Sequence, residues 1–340
     1  MTPGTAATPP VLDEKPLANL DGVRAFACLL VLDNHLQSSS WFQNLNGKLG
    51  VLIFFTLSGF LMGYHYLPGE NTLRYWGSFL VRRFFRVYIP FFIVLLLYGI
   101  LHSMSYYHVF DAFSWPVVID HWRLIKGLER FWTVRFEIRF YLFFPFIALA
   151  LLWVPVNLRL PVLIFLWVLL MLLNFIFASY FIGGLVAQQL YRAEVLRRWS
   201  PSRLWDTAAL IGLGLIFVVP PYIPELLDDF HNIWDFTYFF APLLVLILLC
   251  LAKAEGYMRL IFANKAMRFT GHISYSLYLV FGPAYLILGY SLHGFSTIFF
   301  GLLGGFLLSY FFYKWVELPS NALGKRLVIR LFPATLISGL

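Results

Sequence analysis

Residues 87–104 read VYIPFFIVLLLYGILHSM and contain no Asp, Glu, Lys or Arg. At a rise of about 1.5 Å per residue, a helix of this length nearly crosses the hydrocarbon core of a bilayer, which is about 30 Å thick. The run therefore predicts a membrane-spanning helix, and similar apolar runs recur along the whole chain.

The composition favours a membrane protein over a soluble one. Apolar residues make up 60% of the 340 residues and charged residues 12%, which is about half the charged share of a typical soluble domain. We expect an all-α fold, a polytopic transmembrane helical bundle with about ten spans. The predicted spans are 20–38, 49–66, 87–104, 132–153, 159–176, 178–191, 205–221, 236–252, 274–291 and 296–316.

The Lys and Arg residues indicate the orientation, because cytoplasmic connections of membrane proteins are enriched in them. If the helices alternate, 19 of the 25 Lys and Arg residues fall on the side of the N-terminus. Both termini are therefore predicted to be cytoplasmic, with a disordered tail at 1–16, a single transmembrane domain at 17–325 and a C-terminal tail at 326–340. This placement explains the net charge of +8 without nucleic acid as a partner.

The first predicted helix carries candidate site residues, since ionisable side chains within membrane helices are costly and usually functional. Arg24 and His35 are eleven residues apart, so they lie on a similar side of a helix at depths that differ by about 16 Å. His35 could instead be a helix-end residue that meets interfacial water. For Asp33, the sequence leaves open whether it orients His35, forms a local hydrogen bond or extends towards solvent.

Arg82, Arg83 and Arg86 form a basic cluster just before the run at 87–104. Arg83 and Arg86 are three residues apart and share a helix face. Guanidinium groups bind phosphate oxygens in pairs, so the cluster predicts a phosphate clamp. The alternative is a topological role, in which the positive residues keep the loop inside and contact anionic headgroups.

Glu137 and Ser58 lie inside two other predicted spans. Glu137 either faces the interior of the bundle or forms an ion pair with one of its neighbours, Arg135 and Arg139. Ser58 precedes a glycine, and a Ser-Gly pair in a membrane helix either permits close packing or offers a hydroxyl to a substrate. Cys28 and Cys250 lie in apolar runs and have the spacing of neither a disulfide framework nor a metal site.

Several motifs, in the same order, resemble the acyltransferase family 3 membrane proteins, whose pattern opens with LDGLRA followed by a histidine. The matching segments are LDGVRAFACLLVLDNH at 20–35, FFTLSGFLM at 54–62, RRFFR at 82–86, WTVRFEIRFYLFFP at 132–145, ISYSLYLV at 273–280 and WVELPSNAL at 315–323. The family's tryptophan and acidic residue fall on Trp132 and Glu137. The sequence departs from the family at Phe281-Gly282-Pro283, where many members have His-x-Pro.

The resemblance implies an enzyme that transfers an acyl group, usually acetyl, from cytoplasmic acyl-CoA to a sugar hydroxyl. It implies His35 as general base or transient acyl carrier, with Glu137 and Arg24 beside it and Asp33, Ser58 and Trp132 in support. Arg82, Arg83 and Arg86 would bind acyl-CoA (acetyl-CoA), which is a donor substrate rather than a tightly bound cofactor. The expected partners are the donor, a carbohydrate or glycosylated acceptor, the lipid bilayer of a bacterial inner membrane and a second copy of the chain.

A proton-coupled transporter is the alternative, because polytopic helices with a central histidine and buried charges also describe carriers. A carrier is expected to show inverted hydropathy repeats, and none is apparent in the sequence. It also has no evident need for three arginines at the inner surface. The sequence therefore favours the acyltransferase.

Overall fold

The computed structural model describes residues 14–33, 41–67, 69–104, 113–125, 131–193, 202–226, 237–289 and 295–332. Within these ranges every regular element is helical, which confirms the all-α fold class. The α-helices are α1 (Glu14–Asp33), α2 (Trp41–Tyr66), α3 (Leu73–Arg83), α4 (Ile89–Ser103), α5 (Trp115–Trp122), α6 (Trp132–Leu152), α7 (Arg159–Leu172), α8 (Ile176–Arg192), α9 (Ser202–Leu226), α10 (Thr237–Lys253), α11 (Tyr257–Phe262), α12 (Lys265–Gly289), α13 (Phe295–Phe312) and α14 (Leu318–Leu331).

Three helical stretches in the described ranges are long and apolar enough to cross a membrane. They are Gly47–Tyr66, Leu73–Ser103 and Phe299–Leu331, and the apolar helices Val156–Leu172 and Tyr238–Lys253 are shorter. These stretches support an integral membrane protein. The predicted number of spans and the cytoplasmic placement of both termini stay predictions.

The helix predicted at 87–104 is the second half of a longer one. Helix α3 begins after Thr72, whose side chain accepts a hydrogen bond from the backbone N–H of Tyr75 at 3.2 Å. It continues through a π-helical turn at Phe84–Tyr88 into α4. The sequence prediction began late because the arginines at 82, 83 and 86 interrupt the apolar pattern although the backbone stays helical.

The end of the described chain is also helical. A second π-helical turn, Tyr313–Glu317, joins α13 to α14. Helix α14 runs to Leu331 and therefore crosses the predicted boundary between domain and tail at 325. It packs against α3 and the first π-helical turn.

Helices α2 and α8 approach each other so closely that only glycine fits at two positions. A Cβ atom on Gly59 would lie 1.9 Å from the backbone oxygen of Phe181, and one on Gly184 would lie 2.0 Å from that of Thr56. Small residues allow such backbone contact between membrane helices, where packing rather than hydrophobic burial drives association. This pair of glycines therefore fixes the height of α2 relative to α8.

Helix α1 is held by glycines in the same way. A Cβ atom on Gly271 in α12 would lie 2.0 Å from the backbone oxygen of Asp21, and one on Gly22 would lie 1.9 Å from that of Phe262. The first contact places the middle of α1 against α12, and the second places it against the end of α11. They bring the LDGVR segment, although it is distant in sequence, next to the segment around Gly271.

The first prediction concerns the contact between α2 and α8. The substitution Gly184→Ala should lower the free energy of unfolding by about 1–3 kcal/mol, because the added methyl group collides with backbone that cannot rotate away. Gly214→Ala in α9 is the matched control, since a Cβ atom there meets nothing within 4 Å. It should leave the stability unchanged or raise it by up to about 1 kcal/mol through helix propensity. Thermal unfolding of the purified protein in detergent measures both, and equal midpoints for the two variants would contradict the close contact.

Candidate active site

A cavity of about 360 Å³ lies between α1, α2, α6, α12 and the two π-helical turns. Its size falls within the usual range for small-molecule sites, about 300–1,000 Å³. More of its lining side chains are polar or ionisable than apolar. Five of the residues predicted from the sequence line it: Arg24, Ser58, Arg83, Arg86 and Glu137.

Three arginines give the cavity a cationic side. Arg24 comes from the middle of α1, Arg83 ends α3, and Arg86 lies in the first π-helical turn. The guanidinium of Arg83 lies 5.2 Å from the ring centre of Tyr141 and 5.7 Å from that of Tyr66. Among the residues that the structure describes, neither Arg83 nor Arg86 forms an ion pair. Both can therefore bind an anionic ligand without first breaking a contact to a carboxylate.

Asp21 connects Arg24 to a histidine of α12. Its Oδ1 lies 3.4 Å from Nη1 of Arg24, and its Oδ2 lies 3.7 Å from Nε2 of His272. Nδ1 of His272 lies 2.6 Å from the carbonyl oxygen of Arg268. A carbonyl only accepts hydrogen bonds, so Nδ1 carries the proton in the neutral ring and Nε2 carries one only in the imidazolium form. Asp21 therefore orients Arg24 through one oxygen and faces His272 through the other.

Glu137 sits in a polar stripe on α6 formed by Thr133, Glu137 and Tyr141, which are spaced four residues apart and share a helix face. The hydroxyl of Ser58 donates to Oε1 of Glu137 at 3.3 Å, and the hydroxyl of Tyr141 donates to the same oxygen. The hydroxyl groups of Thr133 and of Tyr278 in α12 are hydrogen-bonded, with 2.5 Å between their oxygen atoms. The stripe therefore presents a carboxylate and several hydroxyls on the side formed by α2, α6 and α12.

The flanking arginines of Glu137 bind elsewhere. Arg135 donates from Nη1 to the carbonyl of Ile125 at 2.8 Å, and Arg139 donates from Nη2 to the carbonyl of Leu124 at 3.3 Å. Of the two sequence interpretations of Glu137, the structure therefore favours the one in which the carboxylate faces the interior of the bundle.

Ser58 and Gly59 divide the two roles that the sequence left open for the Ser-Gly pair. Gly59 makes the backbone contact with Phe181. Ser58 lines the cavity and binds Glu137.

Three other predicted residues lie outside the cavity lining. Arg82 is absent from the lining, although it lies next to Arg83 in the sequence. Trp132 packs its ring against Phe177, at a centroid distance of 4.9 Å, and supports the cavity from behind. Asp33 is the last residue of α1 and is also absent from the lining. His35 lies outside the described residues.

The structure adds ionisable and hydroxyl residues that the sequence analysis did not assign to a site. His65 lies seven residues after Ser58 on the same face of α2, so helical periodicity could have identified it. Glu317 lies in the second π-helical turn, is 4% exposed and accepts a hydrogen bond from Ser276 at 2.5 Å. Its position inside the WVELPSNAL motif was the available signal. Tyr141 and Tyr275 also lie within quoted motifs and line the cavity.

This arrangement combines two chemical capacities. The arginines can hold an anionic group, and the carboxylate with its hydroxyl neighbours can accept, donate or orient a proton. An enzyme that moves a group from a charged donor to a neutral hydroxyl needs both.

Comparison with known proteins points to one class of enzyme. The model of a family described as an acyltransferase domain matches residues 17–314. The chain is 26% identical over 322 residues to the peptidoglycan O-acetyltransferase of Listeria monocytogenes, which covers 78% of this chain and 49% of that protein. It is 26% identical over 303 residues to a Staphylococcus aureus protein provisionally named an O-acetyltransferase. That match covers 77% of this chain and 50% of the Staphylococcus protein. The chain thus spans about half the length of these relatives. No solved structure matches it.

The second prediction concerns Glu317, whose carboxyl group is buried beside the cavity. Removing the hydroxyl that binds it, in Ser276→Ala, should destabilise the protein by about 1–3 kcal/mol, because a buried acceptor then loses its donor. Ser309→Ala is the control, since the buried hydroxyl of Ser309 has no hydrogen-bond partner among the described residues, and its removal should be neutral. If thermal unfolding in detergent shows Ser276→Ala to be as stable as Ser309→Ala, the assigned hydrogen bond is wrong.

Proposed function

This chain belongs to the acyltransferase family that matches residues 17–314, and we propose that it is a membrane O-acyltransferase. In this proposal it moves an acyl group, in the simplest case acetyl, from cytoplasmic acyl-CoA to a hydroxyl of a carbohydrate or glycosylated acceptor. The observation that carries the proposal is that one cavity is lined by all four of Arg24, Arg83, Arg86 and Glu137. Family membership supplies the type of reaction, and the cavity supplies residues suited to it.

The cationic side suits the donor. Coenzyme A carries several phosphate charges, and bidentate guanidinium groups are the usual partners of phosphate oxygens. Arg83 and Arg86 are available for such a ligand because neither forms an ion pair with a carboxylate among the described residues. Arg24, which Asp21 orients, lies along the same cavity and would attract the donor further inwards.

The reaction forms a bond between the acceptor oxygen and the acyl carbon and breaks the bond between that carbon and the sulfur of CoA. The acceptor hydroxyl gives its proton to a base as it attacks, and the CoA thiolate leaves and takes up a proton. We assign the base to His35, because an imidazole titrates near neutral pH. Glu137 would stabilise the imidazolium that forms, as the third group of a catalytic triad does.

A second route uses the same residues. His35 attacks the thioester first, which breaks the C–S bond and releases the CoA thiolate. The acceptor hydroxyl then attacks the acyl-imidazole, loses its proton and takes the acyl group, which leaves His35 free again. Radiolabelled acetyl-CoA without an acceptor distinguishes the routes, since only the second leaves label on the protein.

The acceptor is proposed from the relatives and not from the cavity. The Listeria relative is named for its action on peptidoglycan, so a glycan of the bacterial cell envelope is the first acceptor to test. Mass spectrometry of envelope glycan from deletion and complemented strains should show the mass increment of an acetyl group only when the gene is present. Identical glycan from both strains, under conditions where the protein is produced, would contradict the proposal.

The third prediction separates the arginines of the basic cluster. Arg83→Ala and Arg86→Ala should each raise the KM for acetyl-CoA by roughly tenfold or more, because each loses a charge-assisted contact to the donor. Arg82→Ala is the matched control, since Arg82 does not line the cavity, and its KM should stay within roughly threefold of wild type. CoA release by purified protein in lipid nanodiscs measures this. Equal effects of all three substitutions would support the topological role instead.

The fourth prediction tests the base. His35→Ala should reduce kcat by roughly 100-fold or more, which is the usual contribution of a general base. His65→Ala and His272→Ala are the comparison, because both histidines line the cavity. Each of these two substitutions should reduce kcat by less than roughly tenfold. If one of these two abolishes turnover while His35→Ala retains it, the base is assigned to the wrong histidine.

A further inference from the structure

We propose that Tyr141 and Ser58 are positioning residues, which together fix one oxygen of Glu137 and leave the other for the reaction. This inference rests on the proposed function, because it concerns how that site holds its carboxylate. It assigns a role to the Tyr141 hydroxyl that neither the sequence motifs nor the comparisons supply.

The hydrogen bonds to the Glu137 carboxylate are distributed unevenly over its two oxygens. Both donors, the hydroxyls of Ser58 and Tyr141, converge on Oε1 of Glu137. Within the described ranges, Oε2 has no hydrogen-bond donor. Because Glu137 lines the cavity, Oε2 is the oxygen that can accept a proton or a hydrogen bond from a reacting group.

The two hydroxyl groups that donate to Oε1 of Glu137 come from different helices. Tyr141 lies one turn beyond Glu137 on α6, whereas Ser58 belongs to α2. The close contact of Gly59 with Phe181, one residue after Ser58, prevents α2 from shifting along α8. A carboxylate held by its own helix and by a fixed neighbouring helix cannot rotate without breaking one of the two bonds.

The side chain of Tyr141 is itself held in place by its surroundings. Its side chain is 5% exposed. The ring of Phe79 packs edge-on against the ring of Tyr141, with 6.3 Å between the ring centres. The guanidinium of Arg83 lies 5.2 Å from the centre of the Tyr141 ring. The ring therefore supports the cationic side while the hydroxyl supports the carboxylate, and the two contributions can be removed separately.

Substitutions at Tyr141 and Ser58 test this with kinetics. Tyr141→Phe keeps the ring beside Arg83 and removes only the hydroxyl, so kcat should fall roughly tenfold while the KM for acetyl-CoA stays within twofold. Ser58→Ala should give the same pattern. Tyr141→Leu also removes the ring and should raise the KM in addition. Tyr98→Phe is the control, because its buried hydroxyl donates to the carbonyl of Leu279 at 2.8 Å, outside the cavity lining.

An infrared measurement tests the inference without turnover. The difference spectrum between wild type and Glu137→Gln isolates the carboxyl band of Glu137. Its frequency should change in Tyr141→Phe and in Ser58→Ala, since each loses a donor to that carboxyl, and should stay unchanged in Tyr98→Phe. Unfolding midpoints close to wild type show that the variants are folded.

The outcomes separate this inference from the proposed function. If wild type transfers no acyl group but the band shifts as expected, the proposed function fails and the positioning arrangement stands. If wild type is active and Tyr141→Phe matches the kcat and the band of wild type, the inference is wrong while the function stands. A rise in KM at unchanged kcat would also overturn it, because it would show that the hydroxyl binds the donor rather than orienting the carboxylate.

Discussion

The backbone contacts at glycine are the constraint on which the site depends. Where Gly59 meets Phe181 and Gly271 meets Asp21, helices touch without an intervening side chain. Each contact lies next to a cavity residue: Ser58 adjoins Gly59, and His272 adjoins Gly271. Because a helix is stiff along its axis, fixing one residue fixes its neighbours. The cavity thus obtains its shape from backbone contacts rather than from the side chains that carry its chemistry.

The second constraint is the cost of charge in an apolar surrounding, where a buried ionised group needs a partner. Two of the three cavity carboxylates, Glu137 and Glu317, obtain that partner from hydroxyl groups of serine and tyrosine. Among the residues that the structure describes, Asp21 is the one carboxylate of these three that forms an ion pair with an arginine of the cavity. Had all three carboxylates paired with arginines, an anionic ligand would have to break those pairs. Satisfying carboxylates with hydroxyls keeps Arg83 and Arg86 available.

Helical periodicity explains how far the sequence could predict this site. It grouped Arg83 with Arg86, and the structure places both at the cavity. It groups Arg82 with Arg86 equally well, because they are four residues apart, so it could not predict that Arg82 is absent from the lining. It could not show which face of α6 turns inwards, because that depends on Ser58 and on hydrogen bonds that Arg135 and Arg139 make to the carbonyl groups of residues 124 and 125. Glu317 and Ser276 meet across 41 residues, and no local pattern reveals such a contact. The side on which the termini lie and the role of His35 stay predictions.

The π-helical turns explain why the last motif in the sequence belongs with the first ones. A π-helical turn departs from the usual hydrogen-bond spacing and is frequent at functional sites. In the first turn, the carbonyl of Phe85 accepts from Ser320, and that of Val87 accepts from Tyr275 at 2.7 Å. Gly324 permits α14 to approach, since a Cβ atom there would lie 2.6 Å from that of Phe85. Helix α14 therefore holds the turn that carries Arg86, and the WVELPSNAL segment acts on the cationic side of the cavity through the backbone it supports.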